Sequence, residues 1–388
     1  MNFDLTAEQS MIREAVREFA QEVVAPRADE IDRTNAFPAD LVRQAAALDL
    51  LGIVVPEEYG GPGLDHICFA LFVEEIAAVS GTLAVILDVH TSVGTEPILY
   101  FGTEEQKRRY LPRLARGELL GAFALTEPEA GSDAASLRTT AVRKNGHHDP
   151  ARSYYVLNGT KTFITNVGVA DLYIVMARTG DMPGSRGISA FLVERDTPGL
   201  KYGEPMHKMG LRGSPTGELV LEDVCVPADN LLAAEGEGFR VAMTALDSGR
   251  IGISAQAVGL ARGALDLAVD YANERRQFGQ AISQFEGIQF MLADMATAVD
   301  AARLMTLQAA HACDTGVPFT RLASMAKLMS TDTAMRVTTD AVQVFGGYGY
   351  IKEFPVERFM RDAKATQIYE GTNQIQRIVI ARELLKGD

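Results

Sequence analysis

The 388-residue sequence predicts an α+β, mainly α protein in which helices come first, strands second and helices again. Residues 1–120 and 231–388 repeat apolar side chains at helical spacing, whereas residues 121–230 break into short β-branched and aromatic runs between glycines and prolines. Strands do not alternate with helices, which disfavours a doubly wound nucleotide fold. The glycine run at 346–350 follows a helix rather than a strand, so it is weak support for a dinucleotide loop.

In the first segment, Thr6 and Gln9 fit a capping box, and Met11, Ile12, Ala15, Val16, Phe19, Ala20, Val23 and Val24 form one apolar stripe. Pro26 is expected to end that helix. Residues 54–63 have turn chemistry, and residues 103–118 read as a short charged helix closing near Gly117. In the middle segment, residues 153–166 are expected to form two strands joined at Asn158-Gly159, a pair that tolerates the positive φ of a hairpin turn. Residues 172–178, 188–194 and 218–226 are further strands of a small antiparallel β-domain. In the last segment, three stripes begin at Ala257, Ile288 and Met329 and predict long helices packed as a bundle. Ile375, Ile378, Val379 and Leu385 share one side of a final helix, with Thr372 placed to cap it.

Charge narrows the function. Lys plus Arg number 37 against 51 Asp plus Glu, a formal net charge of -14. That argues against nucleic acid and anionic membrane as partners, but not against a small anion held by local donors. Cys68, Cys225 and Cys313 have no metal-ligand spacing, so no metal is expected. No signal peptide or membrane-spanning run is apparent, and the expectation is a cytoplasmic protein.

Four stretches carry possible chemistry. Residues 123–137, FALTEPEAGSDAASL, pass from strand to loop, where amides and the Thr126 and Ser132 hydroxyls suit a polar ring edge, a phosphate or an ordinary turn. Arg275 and Arg276 close a long helix, where cations complement the dipole. Gly346 and Gly347 allow close backbone approach of a ligand, or serve as a helix cap. Tyr369, Glu370 and Gly371 crowd the mouth of the last helix, where Glu370 at least complements the dipole.

Together with NGTKTFITN, KMGLRGSPTGEL and LDSGRIGIS, these stretches resemble the acyl-CoA dehydrogenase family in order and spacing over essentially the whole chain. The resemblance is closest to the short-chain, butyryl branch. It implies an N-terminal helical domain at 1–120, a middle antiparallel β-domain at 121–230 and a C-terminal four-helix-bundle domain at 231–388. It also implies FAD, an acyl-CoA substrate of short to medium chain oxidised to the trans-2-enoyl-CoA, a place in fatty acid β-oxidation, and electrons passed to electron-transferring flavoprotein.

The resemblance also assigns residues. Glu370 matches the base that removes the α-proton, and a positioned carboxylate needs a dry site to raise its pKa for that work. The β-hydrogen then leaves as hydride to flavin N5, while the base residue's own amide donates to the thioester oxygen. Tyr369 and Gly371 match the acyl pocket and its turn, and Asp247, Arg250 and Ser132 match contacts to the CoA portion. Phe123, Leu125, Thr126, Ser132, Phe163, Ile164 and Thr165 match the surroundings of the flavin ring. Arg275, Gln277, Phe278, Phe285, Gln343, Gly346 and Gly347 match contacts to the FAD of a neighbouring subunit, which implies a homotetramer built as a dimer of dimers. Thr372 and Gln374 match FAD contacts at the last helix.

In the isovaleryl and long-chain branches the base precedes an arginine, and the matching residue here, Gly249 before Arg250, cannot serve. Two departures from the family pattern stand out. Phe163 occupies a position that is commonly tryptophan, which removes an indole N–H, and Glu96 is an unexpected charge near the acyl pocket that needs a partner if buried. Alternatives on the same reading are an acyl-CoA oxidase or other flavoenzyme of this fold, and a non-catalytic CoA-binding protein.

Overall fold

A computed structural model describes residues 4–145, 153–180 and 182–386. The N-terminal helices are α1 (Ala7–Phe19), α2 (Ala25–Thr34), α3 (Ala39–Ala47), α4 (His66–Ala77), α5 (Gly81–Asp88), α6 (Glu96–Phe101) and α7 (Glu104–Ala115). The capping box forms: the Gln9 amide donates to Thr6 Oγ1 at 3.1 Å, and the Thr6 amide to Gln9 Oε1 at 3.0 Å. Pro26 does not end the helix. A π-turn at Ala20–Val24 leads directly into α2 and shifts the hydrogen-bond register, so the proline falls in a first turn where no N–H is needed. The stripe on α1 is narrower than expected, because Met11 and Ala15 face solvent.

The middle strands are β1 (Gly121–Ala124), β2 (Thr140–Asn145), β3 (Ser153–Thr165), β4 (Leu172–Arg178), β5 (Ile188–Glu194), β6 (Leu200–Tyr202), β7 (Thr216–Pro227) and β8 (Leu231–Leu232). Their order is β6-β7-β3-β2-β4-β5-β8, with β1 beside β4. Most pairs are antiparallel, but β1 runs parallel to β4. The hairpin expected at Asn158-Gly159 is absent. β3 runs straight through it and pairs antiparallel with β2, with a register shift against β7 between Leu157 and Gly159. Glycine is required there for a different reason: a Cβ would lie 2.4 Å from Thr139 Oγ1. Alternate residues of β4 and β5 face opposite sides, as a pleated strand dictates. Leu172, Ile174 and Leu192 pack against Leu111 and Leu114 of α7, while Tyr173, Val175 and Phe191 pack against Tyr155 and Leu157.

The C-terminal part holds α8 (Gly238–Glu274), the short pair β9 (Arg276–Gln277) and β10 (Gln280–Ala281), α9 (Glu286–Asp314), α10 (Thr320–Phe345), α11 (Val356–Thr366) and α12 (Asn373–Leu385). α8, α9 and α10 pack on one another, with α11 and α12 against α10. α4 lies on α8 and α9, so helices of both ends of the chain share a core. The face of α12 buried in the chain is not the apolar one. It holds Asn373, Gln376 and Val379, whereas Ile378 and Leu385 are 61% and 85% exposed. Among the described residues, no helix is long and apolar enough to cross a membrane.

Candidate active site

The turn carrying Glu370 is built by its neighbours. α11 closes as the Ile368 and Tyr369 amides donate to the Ala365 carbonyl at 2.9 and 3.2 Å. Glu370 and Gly371 then take φ of 55° and 86°. For a glutamate the left-handed region costs roughly 1–2 kcal/mol, so the turn must be held in place. Two buried side chains hold it. Gln376 Nε2 donates to the carbonyls of Glu370 and Gly371 at 3.1 and 2.9 Å. Lys327 Nζ donates to the Gly371 carbonyl at 3.0 Å and to Asn373 Oδ1 at 2.9 Å. Thr372 caps α12, its Oγ1 accepting from the Ile375 amide at 3.3 Å, while Gln374 beside it is exposed.

The Glu370 side chain turns onto α8. Its Oε2 is buried without a partner and lies 2.6 Å from where a Cβ on Gly249 would stand. Burial raises its pKa and the cations Arg250 and Lys327 draw it back, leaving it at about 7. Lys327 is driven the other way, down to about 7 by burial against the pull of Glu370. Arg250 Nη1 pairs with Asp247 Oδ1 at 2.5 Å, and Asp247 also accepts from Thr320 Oγ1 at 2.5 Å. Tyr369 donates to Gln256 Oε1. Its ring joins Val85, Val89, Val93 and Phe123 in one apolar cluster, which brings the Glu370 turn to the strand that leads into the FALTEP loop.

That loop is folded around a buried ion pair. Lys161 Nζ contacts Glu127 Oε1 at 2.7 Å and the Leu125 carbonyl at 3.2 Å. Glu127 also accepts from the amides of Arg138 and Thr139 at 2.6 and 2.9 Å. The Thr162 amide donates to the Thr126 carbonyl at 2.9 Å, so Leu125 and Thr126 lie beside Phe163, Ile164 and Thr165. Phe163 has φ of 57° and a side chain 65% exposed, Ile164 is buried, and Ser132 is exposed at the far end of the loop.

The remaining assigned residues form a separate group. Arg275, Gln277, Gly346 and Gly347 line a cleft of about 420 Å³, and no residue of the FALTEP loop lines it. Phe278, 94% exposed, meets Phe285 edge to face at 6.1 Å, and Gln343 is exposed nearby on α10. Glu96 does have a partner. It is fully buried, 3.3 Å from His66 Nε2, while His66 Nδ1 lies 2.7 Å from Asp314 Oδ1.

Family models for the N-terminal, middle and C-terminal domains of acyl-CoA dehydrogenase match residues 6–118, 122–224 and 236–385. The chain belongs to the acyl-CoA dehydrogenase family. It is 53% identical over 383 residues to an acyl-CoA dehydrogenase of Bacillus subtilis, covering 99% of each chain. The structure of butyryl-CoA dehydrogenase from Megasphaera elsdenii aligns over 99% of this chain and 100% of its own, with TM-score 0.96 and 46% identity. A chain from the work on the electron transferring flavoprotein of Acidaminococcus fermentans aligns over 100% of both, with TM-score 0.97 and 49% identity.

As an acyl-CoA dehydrogenase the protein is an FAD enzyme. Its residues fit that cofactor and a thioester: Glu370 Oε2, Arg250 Nε and Ser248 Oγ are buried polar atoms without protein partners, which suit a polar ligand. Sequence reasoning missed Lys327, Gln376, Gln256 and the Lys161–Glu127 pair. The signal for Lys327 was present: it falls at helical spacing with Ala323, Ser324, Ser330 and Thr331, on the buried face of α10.

Proposed function

We propose that the enzyme removes the α-proton and β-hydrogen of a short- to medium-chain acyl-CoA, with Glu370 as base, to give the trans-2-enoyl-CoA. The observation that carries this is the carboxylate itself, whose free Oε2 is buried and whose pKa of about 7 suits proton abstraction at neutral pH. Among the described residues the Glu370 amide makes no hydrogen bond, so it is available to the thioester oxygen. Bound FAD supplies the hydride acceptor. Leu125, Thr126 and Phe163–Thr165 hold its ring, and Thr372 and Gln374 lie at its edge. Asp247, Arg250 and Ser132 meet the CoA portion, and Tyr369 walls the acyl chain. Arg275, Gln277, Phe278, Phe285, Gln343, Gly346 and Gly347 reach the FAD of a neighbouring subunit, which is why we place the enzyme in a homotetramer. The separation of that cleft from the FALTEP loop within one chain supports this. Electrons pass to an electron-transferring flavoprotein, a reading supported by the Acidaminococcus neighbour. The butyryl-CoA dehydrogenase neighbour supports the short-chain preference.

The test is the visible spectrum of the FAD-loaded protein on anaerobic addition of butyryl-CoA. The flavin band bleaches in the wild type. Glu370→Gln retains FAD and loses nearly all bleaching. Substantial bleaching in that variant removes Glu370 from the role of base.

A further inference from the structure

Asp88 ends α5 and is completely buried, yet proton abstraction and flavin binding make no use of it. Its Oδ1 accepts from Ser92 Oγ at 3.1 Å, and its Oδ2 has no partner. The carboxyl presses on α8 at Gly252, where a Cβ would overlap Oδ1. Gly249, three residues earlier, faces Glu370 Oε2 in the same way. Residues three apart on a helix share a face, with Cβ positions about 5–6 Å apart. The two carboxyl groups therefore lie one turn apart along the same side of α8. Val85, Val89 and Val93, with Phe123 and Tyr369, form the apolar cluster beside them.

Among the described residues, no cation pairs with Asp88. Burial, then the neighbouring Glu370 and Glu96, push it well above the usual carboxylate range, against the Ser92 hydroxyl. A buried polar atom left unpaired costs about 1–3 kcal/mol. A plain hydrocarbon chain reaching Oδ2 leaves that cost in place, whereas a hydroxyl or amine removes it. We propose that Asp88 is the specificity-determining residue at the inner end of the acyl pocket, rejecting longer unsubstituted acyl chains and accepting short acyl-CoA thioesters that carry a hydroxyl or amino group near the chain end. This rests on the acyl-CoA reading of the Glu370 site.

The experiment compares kcat/KM for butyryl-, hexanoyl-, γ-hydroxybutyryl- and γ-aminobutyryl-CoA in the wild type, Asp88→Ala and Asp88→Ser. Dissociation constants of the matching unreactive thioethers give a second readout. Asp88→Ala is expected to raise the hexanoyl-to-butyryl ratio by about tenfold or more, and to lower the ratio of a γ-substituted chain to butyryl by a similar factor. Asp88→Ser, which keeps a hydroxyl, falls between. The γ-hydroxy and γ-amino arms distinguish a neutral partner from a cationic one. Ratios unchanged in both variants overturn the assignment of Asp88 while the bleaching by butyryl-CoA stands. Wild-type flavin untouched by every thioester overturns the underlying reading as well.

Discussion

Glu370 sits between opposing influences, and each has a consequence in pH. Burial raises its pKa and two cations lower it, to about 7. In the free enzyme kcat/KM for a short acyl-CoA is therefore expected to rise with pH through about 7, because the base works ionised. Lys327→Met removes one of the cations, so that limb moves to higher pH and activity at pH 7 falls. The same variant leaves the Gly371 carbonyl and Asn373 short of a donor, a loss of about 1–3 kcal/mol in denaturant unfolding. A limb that stays in place would mean that Lys327 only supports the turn. The family resemblance pointed to Glu370, but not to its supports. Gln376 and Lys327 lie far apart in sequence, and only the packing of α10 against α12 brings both beneath one turn.

At the scale of elements, the sequence reading located the helices and strands well and their joints less well. Apolar periodicity is a local signal, so the bundle and most of the sheet were legible. Asn158-Gly159 misled because glycine was required by the approach of Thr139 rather than by a turn. Pro26 misled because one π-turn absorbed it. The apolar side of α12 was legible as a pattern, but the pattern did not say that Val379 is buried within the chain while Ile378 and Leu385 are exposed. The FALTEP loop depends on an ion pair that no local pattern announces. Lys161 is fully buried and held at about 8 by burial against the attraction of Glu127. Removing one partner strands the other, so Glu127→Ala is expected to cost about 3–5 kcal/mol. It should also reduce the FAD retained per chain on gel filtration; full flavin content at wild-type stability would show that the loop is set by its backbone instead.

At the scale of the molecule, His66 ties α4 to the end of α9 and to the start of α6 through Asp314 and Glu96. Burial opposes its charge, but Glu96 and Asp314 prevail and raise its pKa far above the usual range. A raised pKa in the folded state means that the native protein holds a proton which the unfolded chain releases above about 6.5. The contribution of His66 is therefore complete below that pH and declines as pH rises. His66→Gln is expected to lower the Tm most at pH 5–6 and less at pH 9; a loss that grows with pH contradicts the ion-pair account. Ile378 and Leu385 on α12 and Phe278 near the cleft are apolar and exposed in one chain. Light scattering is expected to give four times the 42.0 kDa of a single chain, and a monomer holding full FAD would rule out the shared sites.

Gly249 and Gly252 also bear on how such an enzyme changes over time. A Cβ on Gly249 would stand 2.6 Å from Glu370 Oε2, and one on Gly252 would stand 1.9 Å from Asp88 Oδ1. A carboxylate introduced at Gly249 would push the Glu370 carboxylate, the free end of a flexible side chain, from its present place. On the proposal that Glu370 is the base, a second carboxylate arriving on α8 disturbs the first, because both claim the same space.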